Sequence, residues 1–194
     1  MRDIIKNIIQ QSIDAKLTAL QDEALMDTIQ DCVRVMVNAF QHGNKVLFCG
    51  NGGSAADAQH LAAEFSGRFY LDRGALPAEA LHVNSSYLTS VANDYSYNEV
   101  YARMVTGIGN KGDVLVGLST SGNSTNIIKA FEAARKKEMI TIGFTGATGG
   151  QLKALSDYLI NAASTDTPRI QESHILFGHI ICQLVEAEYF KQDT

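Results

Sequence analysis

A histidine and a glutamate four positions apart are the first residues of this sequence whose types and spacing suit chemistry. His60 and Glu64 lie in the segment CGNGGSAADAQHLAAE, residues 49–64, which begins as a glycine-rich turn and continues as a predicted helix. Positions i and i+4 share one face of a helix. The two side chains are therefore able to hold a divalent metal together, with zinc as the natural candidate. The same spacing also suits a hydrogen-bonded pair without a chemical role.

The last predicted helix carries three more side chains of this kind, Gln171, His174 and His179. The two histidines project about 140° apart on a regular helix, so we expect only one of them to face a given site. Gln171 and His179 project in similar directions but lie about 12 Å apart along the axis, whereas a metal–nitrogen bond is only about 2 Å. One ion would need extended side chains, an irregular helix or two subunits to take both. His179 as an ordinary core residue is the alternative.

Two polar, glycine-bearing loops each follow a predicted strand and precede a predicted helix. The loop STSGNS groups four hydroxyls at a helix start, where free N–H groups favour an anion such as a phosphate monoester: Ser119, Thr120, Ser121 and Ser124. In the loop GNGGS, Gly52 and Gly53 allow close backbone approach, and Asn51 and Ser54 suit sugar hydroxyls. The sequence contains no GxxxxGK[ST], and the GNGGS loop lacks the full GxGxxG spacing, which favours a phosphosugar over a nucleotide. An ordinary Ser/Thr-rich loop with a helix cap is the alternative.

Short apolar strands alternate with helices in the segment that must position these residues. Strands are predicted at 45–49, 78–83, 113–118, 139–144 and 158–160, and helices at 54–65, 85–93, 97–108, 126–137 and 168–190. This alternation predicts an α/β fold, a doubly wound parallel sheet sandwiched by helices, with ligands at the carboxyl ends of its strands. Thr167 is predicted to cap the last helix, with Pro168 at its first position.

Two further helices are predicted before the first strand, each with an apolar stripe at helical spacing. A doubly wound core does not need them, so we expect this pair to pack against another copy of the chain. The sequence is therefore predicted to form one domain, with residues 1–42 as a helical pair used in oligomerisation and residues 43–194 as the α/β core.

Composition limits the classes of function. The 194 residues are 45% hydrophobic and 19% charged, which suits one globular domain. The net charge of -5 argues against nucleic-acid and membrane-surface partners. No apolar run is long enough to span a bilayer, and the amphipathic start with its acidic residues does not resemble a signal peptide. The three scattered cysteines are expected to be buried thiols in a reducing compartment.

Five motifs in this order resemble the sugar isomerase (SIS) fold, and specifically the bacterial phosphoheptose isomerase family. They are CGNGGSAADAQHLAAEFSGRF, VANDYSYNEVYAR, GDVLVGLSTSGNSTNIIKA, GFTGATGG and RIQESHILFGHIICQLVE. STSGNS alone marks the broad phosphosugar-binding superfamily, whereas HxxxE after GNGGS together with RIQE…H near the end is more specific. The resemblance covers nearly the whole chain and implies a SIS domain with a flavodoxin-like sheet and two N-terminal helices.

The resemblance also implies an activity and a site. Family members convert sedoheptulose 7-phosphate to D-glycero-D-manno-heptose 7-phosphate for lipopolysaccharide or related glycans, as cytoplasmic homotetramers with active sites at subunit interfaces and one zinc per subunit. By resemblance, the metal ligands are His60, Glu64, Gln171 and His179, with Glu64 and His179 as the acid/base pair. The matching substrate contacts are Asn51, Gly52, Gly53, Ser54, Glu64, Arg68, Asn93, Asp94, Ser119, Thr120, Ser121, Ser124 and Gln171. Pro168 stands where some members carry an aspartate before RIQE, so any help from that aspartate is absent here.

Three other functions compete with the isomerase. A non-catalytic relative binds the replication initiator DnaA, but in that branch the positions of Glu64 and His179 are typically not Glu and His. A phosphosugar-sensing module would bind sugar phosphate without turnover. A flavodoxin-like electron carrier is disfavoured because no aromatic pair flanks the two loops.

Overall fold

A five-stranded parallel sheet forms the centre of the computed structural model, which describes residues 1–191. The strands are β1 Val46–Gly50, β2 Ala78–Ala80, β3 Val114–Leu118, β4 Ile140–Thr145 and β5 Tyr158–Asn161. Their order is β2-β1-β3-β4-β5, and every neighbouring pair is parallel. All residues of β1 and β3 are buried, as expected for near-continuous apolar strands covered on both faces. The predicted doubly wound fold is confirmed.

In residues 1–191, seven helices surround the sheet. They are α1 Arg2–Leu20, α2 Glu23–Gln41, α3 Gly53–Ser66, α4 Ser85–Asp94, α5 Val100–Ile108, α6 Thr125–Lys136 and α7 Thr167–Tyr189. Alternate residues of β1 separate two apolar cores: Val46 and Phe48 pack with α2, α3 and α7, whereas Leu47 and Cys49 pack with α4, α5 and α6. Two short 3₁₀ segments, 97–99 and 150–154, complete the connections. Within the described residues, no helix has the length and apolar character needed to cross a membrane.

The two N-terminal helices differ in their burial. Helix α2 belongs to the core and buries a full apolar face, including Ile29, Met36 and Phe40. Helix α1 buries only Ala15 and Ala19. Its larger apolar side chains are all exposed: Ile4, Ile5, Ile8, Ile9, Ile13, Leu17 and Leu20. Within the described residues, the apolar stripe on α1 therefore remains exposed, whereas the stripe on α2 packs into the core.

The start of α7 differs from the prediction. Asp166, rather than Thr167, is the N-cap residue, and the helix begins at Thr167 with Pro168 in its first turn. Helix α7 then runs without interruption to Tyr189. A continuous helix means that an irregularity in α7 does not bring Gln171 and His179 together.

Candidate active site

The two polar loops meet at the carboxyl edge of the sheet. The GNGGS loop leaves β1 and the STSGNS loop leaves β3, and these strands are neighbours in the sheet. In the sheet, β2 lies on one side of β1, and β3 lies on the other side. The chain therefore changes direction across the sheet between β1 and β3, which makes the carboxyl ends of these two strands the switch point. Doubly wound folds bind ligands in the crevice at such a point.

A reciprocal amide pair joins the GNGGS loop to the first turn of α6. Asn51 donates to Asn126 Oδ1 over 2.9 Å, and Asn126 donates back to Asn51 Oδ1 over 2.8 Å. Tyr97 also donates to Asn51 Oδ1 over 3.3 Å. The buried Tyr101 hydroxyl donates to the carbonyl of Gly50 over 2.5 Å. The Asn51 side chain is thus engaged within the protein, and the loop is held from two sides.

The STSGNS loop has the geometry of an anion-binding turn. The hydroxyls of Ser119 and Ser124 lie 3.0 Å apart, and Ser119 is buried. Ser124 is the N-cap of α6, but its side chain makes no hydrogen bond to the first turn of that helix within the described residues. Gly122 has a φ of +66°, a conformation that favours glycine, and its N–H donates to the Ser119 carbonyl. The helix start therefore keeps N–H groups for an anionic ligand.

Three predicted metal ligands converge where α3 packs beside α7. His60 Nε2 lies 2.9 Å from His179 Nε2 and 3.3 Å from Glu64 Oε1. One ligand atom from each of the three residues lies within 4.8 Å of the others. The His60 side chain is 50% exposed and that of Glu64 is 21% exposed, so the cluster is open to solvent on one side.

Small residues set the register between these helices. Gly178 precedes His179, and a Cβ atom there would come within 2.6 Å of Leu61 Cδ1, next to His60. The absence of that atom lets α3 and α7 approach closely enough for the two imidazoles to meet. Gly53 also contacts Gln171 on α7, so both helices run in the same direction, and His60 and His179 lie at the same level.

The donor set fits zinc. Two imidazole nitrogens and a carboxylate oxygen are the ligand types that zinc sites use, with bonds of about 2.0–2.2 Å. Neighbouring ligand atoms of a tetrahedral site with such bonds lie about 3.3 Å apart, and the spacings from His60 Nε2 to the other two atoms are 2.9 and 3.3 Å. With these three residues as its only protein ligands, a zinc ion would keep a fourth position, as in catalytic zinc sites.

Gln171 lies apart from this cluster. Its amide packs against Gly53, where an added Cβ would come within 2.6 Å of Gln171 Nε2. Gly53 precedes His60 by about two helical turns. The side chain of Gln171 therefore contacts the start of α3 beside the GNGGS loop rather than the three converging ligands.

The structure separates the two histidines of α7, as expected. His174 is fully buried against Phe144, and its Nε2 lies 3.1 Å from the Thr145 carbonyl. Burial lowers the pKa of His174 to about 4. It is a core residue, whereas His179 reaches the cluster.

Asp57 is a neighbour of the cluster that the sequence reasoning did not single out. Burial raises its pKa above the ordinary value, and the nearby His60 and His179 rings oppose that rise. Asp57 lies three residues before His60 on α3, and this spacing places the two side chains on the same face of the helix, which is the signal in the sequence that could have identified it.

Three other predicted contacts lie on exposed segments. Asn93 and Asp94 end α4, where the Asn93 amide donates to Asp94 Oδ1 over 2.9 Å. Arg68 lies in the loop after α3, two residues beyond the end of that helix. All three are exposed.

Comparisons with known proteins agree on one family. Residues 10–146 match the family model described as SIS domain. The chain is 51% identical over 191 residues to a protein named phosphoheptose isomerase from Aneurinibacillus thermoaerophilus, covering 98% of this chain and 96% of that protein. It is 52% identical to one of the same name from Clostridium acetobutylicum, covering 98% and 97%. The solved structure of phosphoheptose isomerase from Neisseria gonorrhoeae is similar, with a TM-score of 0.90, 40% identity and coverage of 96% and 98%.

Proposed function

The chain belongs to the phosphoheptose isomerase family of SIS-domain proteins, and we propose that it interconverts sedoheptulose 7-phosphate and D-glycero-D-manno-heptose 7-phosphate. The family membership that the motifs predicted is confirmed. The observation that carries the proposed activity is the convergence of His60, Glu64 and His179 on a fold whose phosphate-type loop opens at the switch point of the sheet.

The loops bind and orient the substrate in this proposal. The hydroxyls of Ser119, Thr120, Ser121 and Ser124 and the start of α6 receive the phosphate. Fixing the phosphate end orients C1 and C2 of the sugar for reaction. Gly52 and Gly53 let the backbone approach the sugar chain, with Ser54, Arg68, Asn93 and Asp94 as further proposed contacts.

The converging side chains carry the proton transfers. Moving the carbonyl from C2 to C1 requires a proton to leave C1 and a proton to arrive at C2, through an ene-diol. Glu64 accepts the C1 proton and returns it to C2, while His179 moves a proton from O1 to O2. The partly exposed position of the Glu64 side chain suits a carboxylate that must reach substrate.

We further propose one zinc per subunit, bound by His60, Glu64 and His179, with Gln171 as an additional ligand. When bound, zinc supplies a Lewis acid and positive charge for the oxygens of the ene-diolate. The donor types and spacings of the first three residues support this assignment. Gln171 would need its side chain to extend from Gly53 toward the cluster or to serve a second subunit.

Solvent isotope incorporation tests the acid/base assignment. Turnover in D₂O is expected to place deuterium at C2 of the aldose, because the carboxylate of Glu64 exchanges its proton with solvent. Glu64→Gln and His179→Gln should each lower kcat by about 10²-fold or more, measured by NMR of the sugar phosphates. Glu132→Gln, which changes an exposed glutamate on α6, is the matched control and should retain full activity. Unchanged turnover in both active-site variants would contradict the assignment.

We also propose that the chain forms a cytoplasmic homotetramer with active sites at subunit interfaces. The seven exposed apolar side chains of α1 support self-association, because an apolar stripe of this size is rarely left in water. Residues 1–42 then contribute in two ways, α2 to the core of each subunit and α1 to contacts between subunits. The product heptose would enter lipopolysaccharide or a related glycan.

The initiator-binding alternative receives no support from the site. Its relatives typically lack Glu and His at the positions of Glu64 and His179, whereas both are present here and lie together with His60. A direct binding assay with the initiator is expected to be negative.

A further inference from the structure

A buried ion pair formed by Arg73 and Glu186 lies behind the candidate active site. Glu186, on α7, is 2% exposed, and the Arg73 side chain, in the loop after α3, is 3% exposed. Arg73 Nε donates to Glu186 Oε2 over 2.9 Å. A buried charge pair persists only where hydrogen bonds satisfy its remaining donors and acceptors, so its other partners indicate what it holds.

The carboxylate of Glu186 gathers the loop that follows α3. Both of its oxygens are used: the backbone N–H groups of Tyr70 and Leu71 donate to Oε1 over 2.7 and 2.8 Å, and that of Phe69 donates to Oε2 over 2.9 Å. Three consecutive N–H groups thus converge on one side chain. The ring of Phe69 in turn lies 5.7 Å from the ring of His179, measured between centroids.

The guanidinium of Arg73 closes the end of α3. Its Nη2 donates to the backbone carbonyl of Glu64 over 2.8 Å, and its Nη1 donates to that of Phe65 over 2.7 Å. The last carbonyls of a helix have no partner within the helix, and a cation there also complements the helix dipole. Arg73 therefore fixes the backbone of the residue that supplies the candidate base.

Helix geometry connects the pair to both sides of the site. Glu186 follows His179 by seven residues, which is about two turns on the same face of α7. Glu64 and His179 come from different helices, and the Arg73–Glu186 pair bridges the ends of both. Within residues 1–191, no hydrogen bond joins either side chain to the ligand atoms of His60, Glu64 or His179, so any effect on the reaction is exerted through the positions of Glu64 and His179.

We infer that Arg73 and Glu186 are positioning residues, which hold the backbone of Glu64 and the ring of His179 at the separation that the metal and the proton transfers require. This inference rests on the proposed metal-assisted isomerisation. Residues behind a metal site typically change metal affinity about 10- to 100-fold when altered, and small misplacements of reacting groups lower turnover strongly.

Two variants and a matched control test this role. Glu186→Gln leaves one acceptor oxygen for the four N–H groups that donate to this side chain. Arg73→Lys keeps the positive charge but loses the planar guanidinium, whose separate N–H groups donate to the carboxylate and to the backbone carbonyls. The control is Asp113→Asn at the opposite, amino end of the strands. Asp113 is also buried, pairs with Lys45 over 2.6 Å, and accepts the N–H groups of Lys45 and Asn110.

The readouts separate positioning from general stability. We expect Glu186→Gln and Arg73→Lys to weaken Zn²⁺ binding at least tenfold, measured by competition with a chromophoric chelator. They should also lower kcat at least tenfold with KM changed less than threefold. Asp113→Asn should keep both quantities within twofold of the wild type, although its unfolding midpoint falls. Equal effects in all three variants, or folded Arg73 and Glu186 variants with unchanged kcat and Zn²⁺ affinity, would overturn the inference.

A measurement on the unaltered protein covers the case in which a variant does not fold. Coupling is reciprocal, so Zn²⁺ loading should slow hydrogen exchange at the amides of Phe69, Tyr70 and Leu71 at least tenfold, while the amides of Lys45 and Asn110 stay unchanged. Exchange that is insensitive to Zn²⁺ in a protein that binds it would overturn the inference. A wild type that neither isomerises the substrate nor binds Zn²⁺ would instead overturn the proposed function, and the inference with it.

Discussion

Adding a single methyl group at Gly53 should separate stability from activity. Gly53 begins α3, and a Cβ atom there would lie 2.6 Å from Gln171 Nε2 and 3.1 Å from its Cδ and Oε1. Ordinary van der Waals contact begins at 3.4 Å, so the amide must retreat by about 0.8 Å, a shift that a flexible side chain makes at little energetic expense. Alanine favours the helix over glycine by up to about 1 kcal/mol. Gly53→Ala is therefore expected to fold with unchanged or slightly raised stability.

Activity should respond in the opposite direction. A displacement approaching 1 Å in a positioning group lowers turnover by up to about 10²-fold, so we expect kcat/KM to fall between tenfold and a hundredfold. Gly107→Ala is the matched control, because Gly107 also lies in a helix but has open space around the position of an added Cβ. That variant should gain comparable stability and keep full activity.

A double-variant cycle shows whether the effect passes through Gln171. If the new methyl group acts by displacing this amide, Gly53→Ala combined with Gln171→Ala should be no less active than Gln171→Ala alone. Steady-state kinetics and chemical denaturation of the four proteins provide the data. Full activity in Gly53→Ala, or strictly additive losses in the cycle, would show that the contact between Gly53 and Gln171 does not serve the reaction.

Two further expectations follow from buried charge and exposed apolar surface. Asp113→Asn should lower the free energy of unfolding by about 2 kcal/mol, because it weakens the hydrogen bonds of a buried carboxylate whose partner Lys45 is partly exposed, as chemical denaturation at pH 7 would measure. Burial alone raises the pKa of Asp113, but hydrogen bonds from Lys45 and its neighbours outweigh it and lower that pKa below the ordinary 3.8. The stabilisation is thus fully present above about pH 4 and lost as pH falls through the folded-state pKa, and Asp113→Asn should remove this part of the acid dependence. Ile5→Glu with Ile9→Glu on the exposed face of α1 should reduce the assembled mass in light scattering without loss of helix content. An unchanged mass would contradict assembly through α1.

The parts of the fold that depend on local pattern were predictable. Apolar runs such as the one preceding Gly50 gave strands close to their observed bounds, and alternation with helices gave the parallel sheet. Boundaries that depend on a single backbone turn were less so: Thr167 resembles an N-cap by residue type, yet Asp166 occupies that position. Periodicity also did not distinguish a stripe that fills the core, on α2, from one that stays exposed, on α1.

From residue types and spacing alone, the candidate site was predictable within one helix but not across helices, and the resemblance was what joined His179 to His60 and Glu64. His60 and Glu64 follow from their spacing, whereas the contact of His60 with His179 depends on Leu61 packing against Gly178, a feature that neither helix shows alone. Arg73 and Glu186 were missed for the same reason. A charged residue on a helix or in a loop is usually exposed, and only the folded chain brings these two together in the interior.

We propose that this chain isomerises a phosphorylated ketoheptose with the help of a metal held by His60, Glu64 and His179. The most direct test incubates the purified protein with sedoheptulose 7-phosphate and follows the sugar phosphates by NMR, before and after complete metal removal and after titration with Zn²⁺. We expect formation of an aldoheptose 7-phosphate, loss of conversion on metal removal, and recovery that saturates at one Zn²⁺ per subunit. No conversion by the Zn²⁺-loaded protein would contradict the isomerase, and full conversion without metal would contradict the role assigned to the cluster.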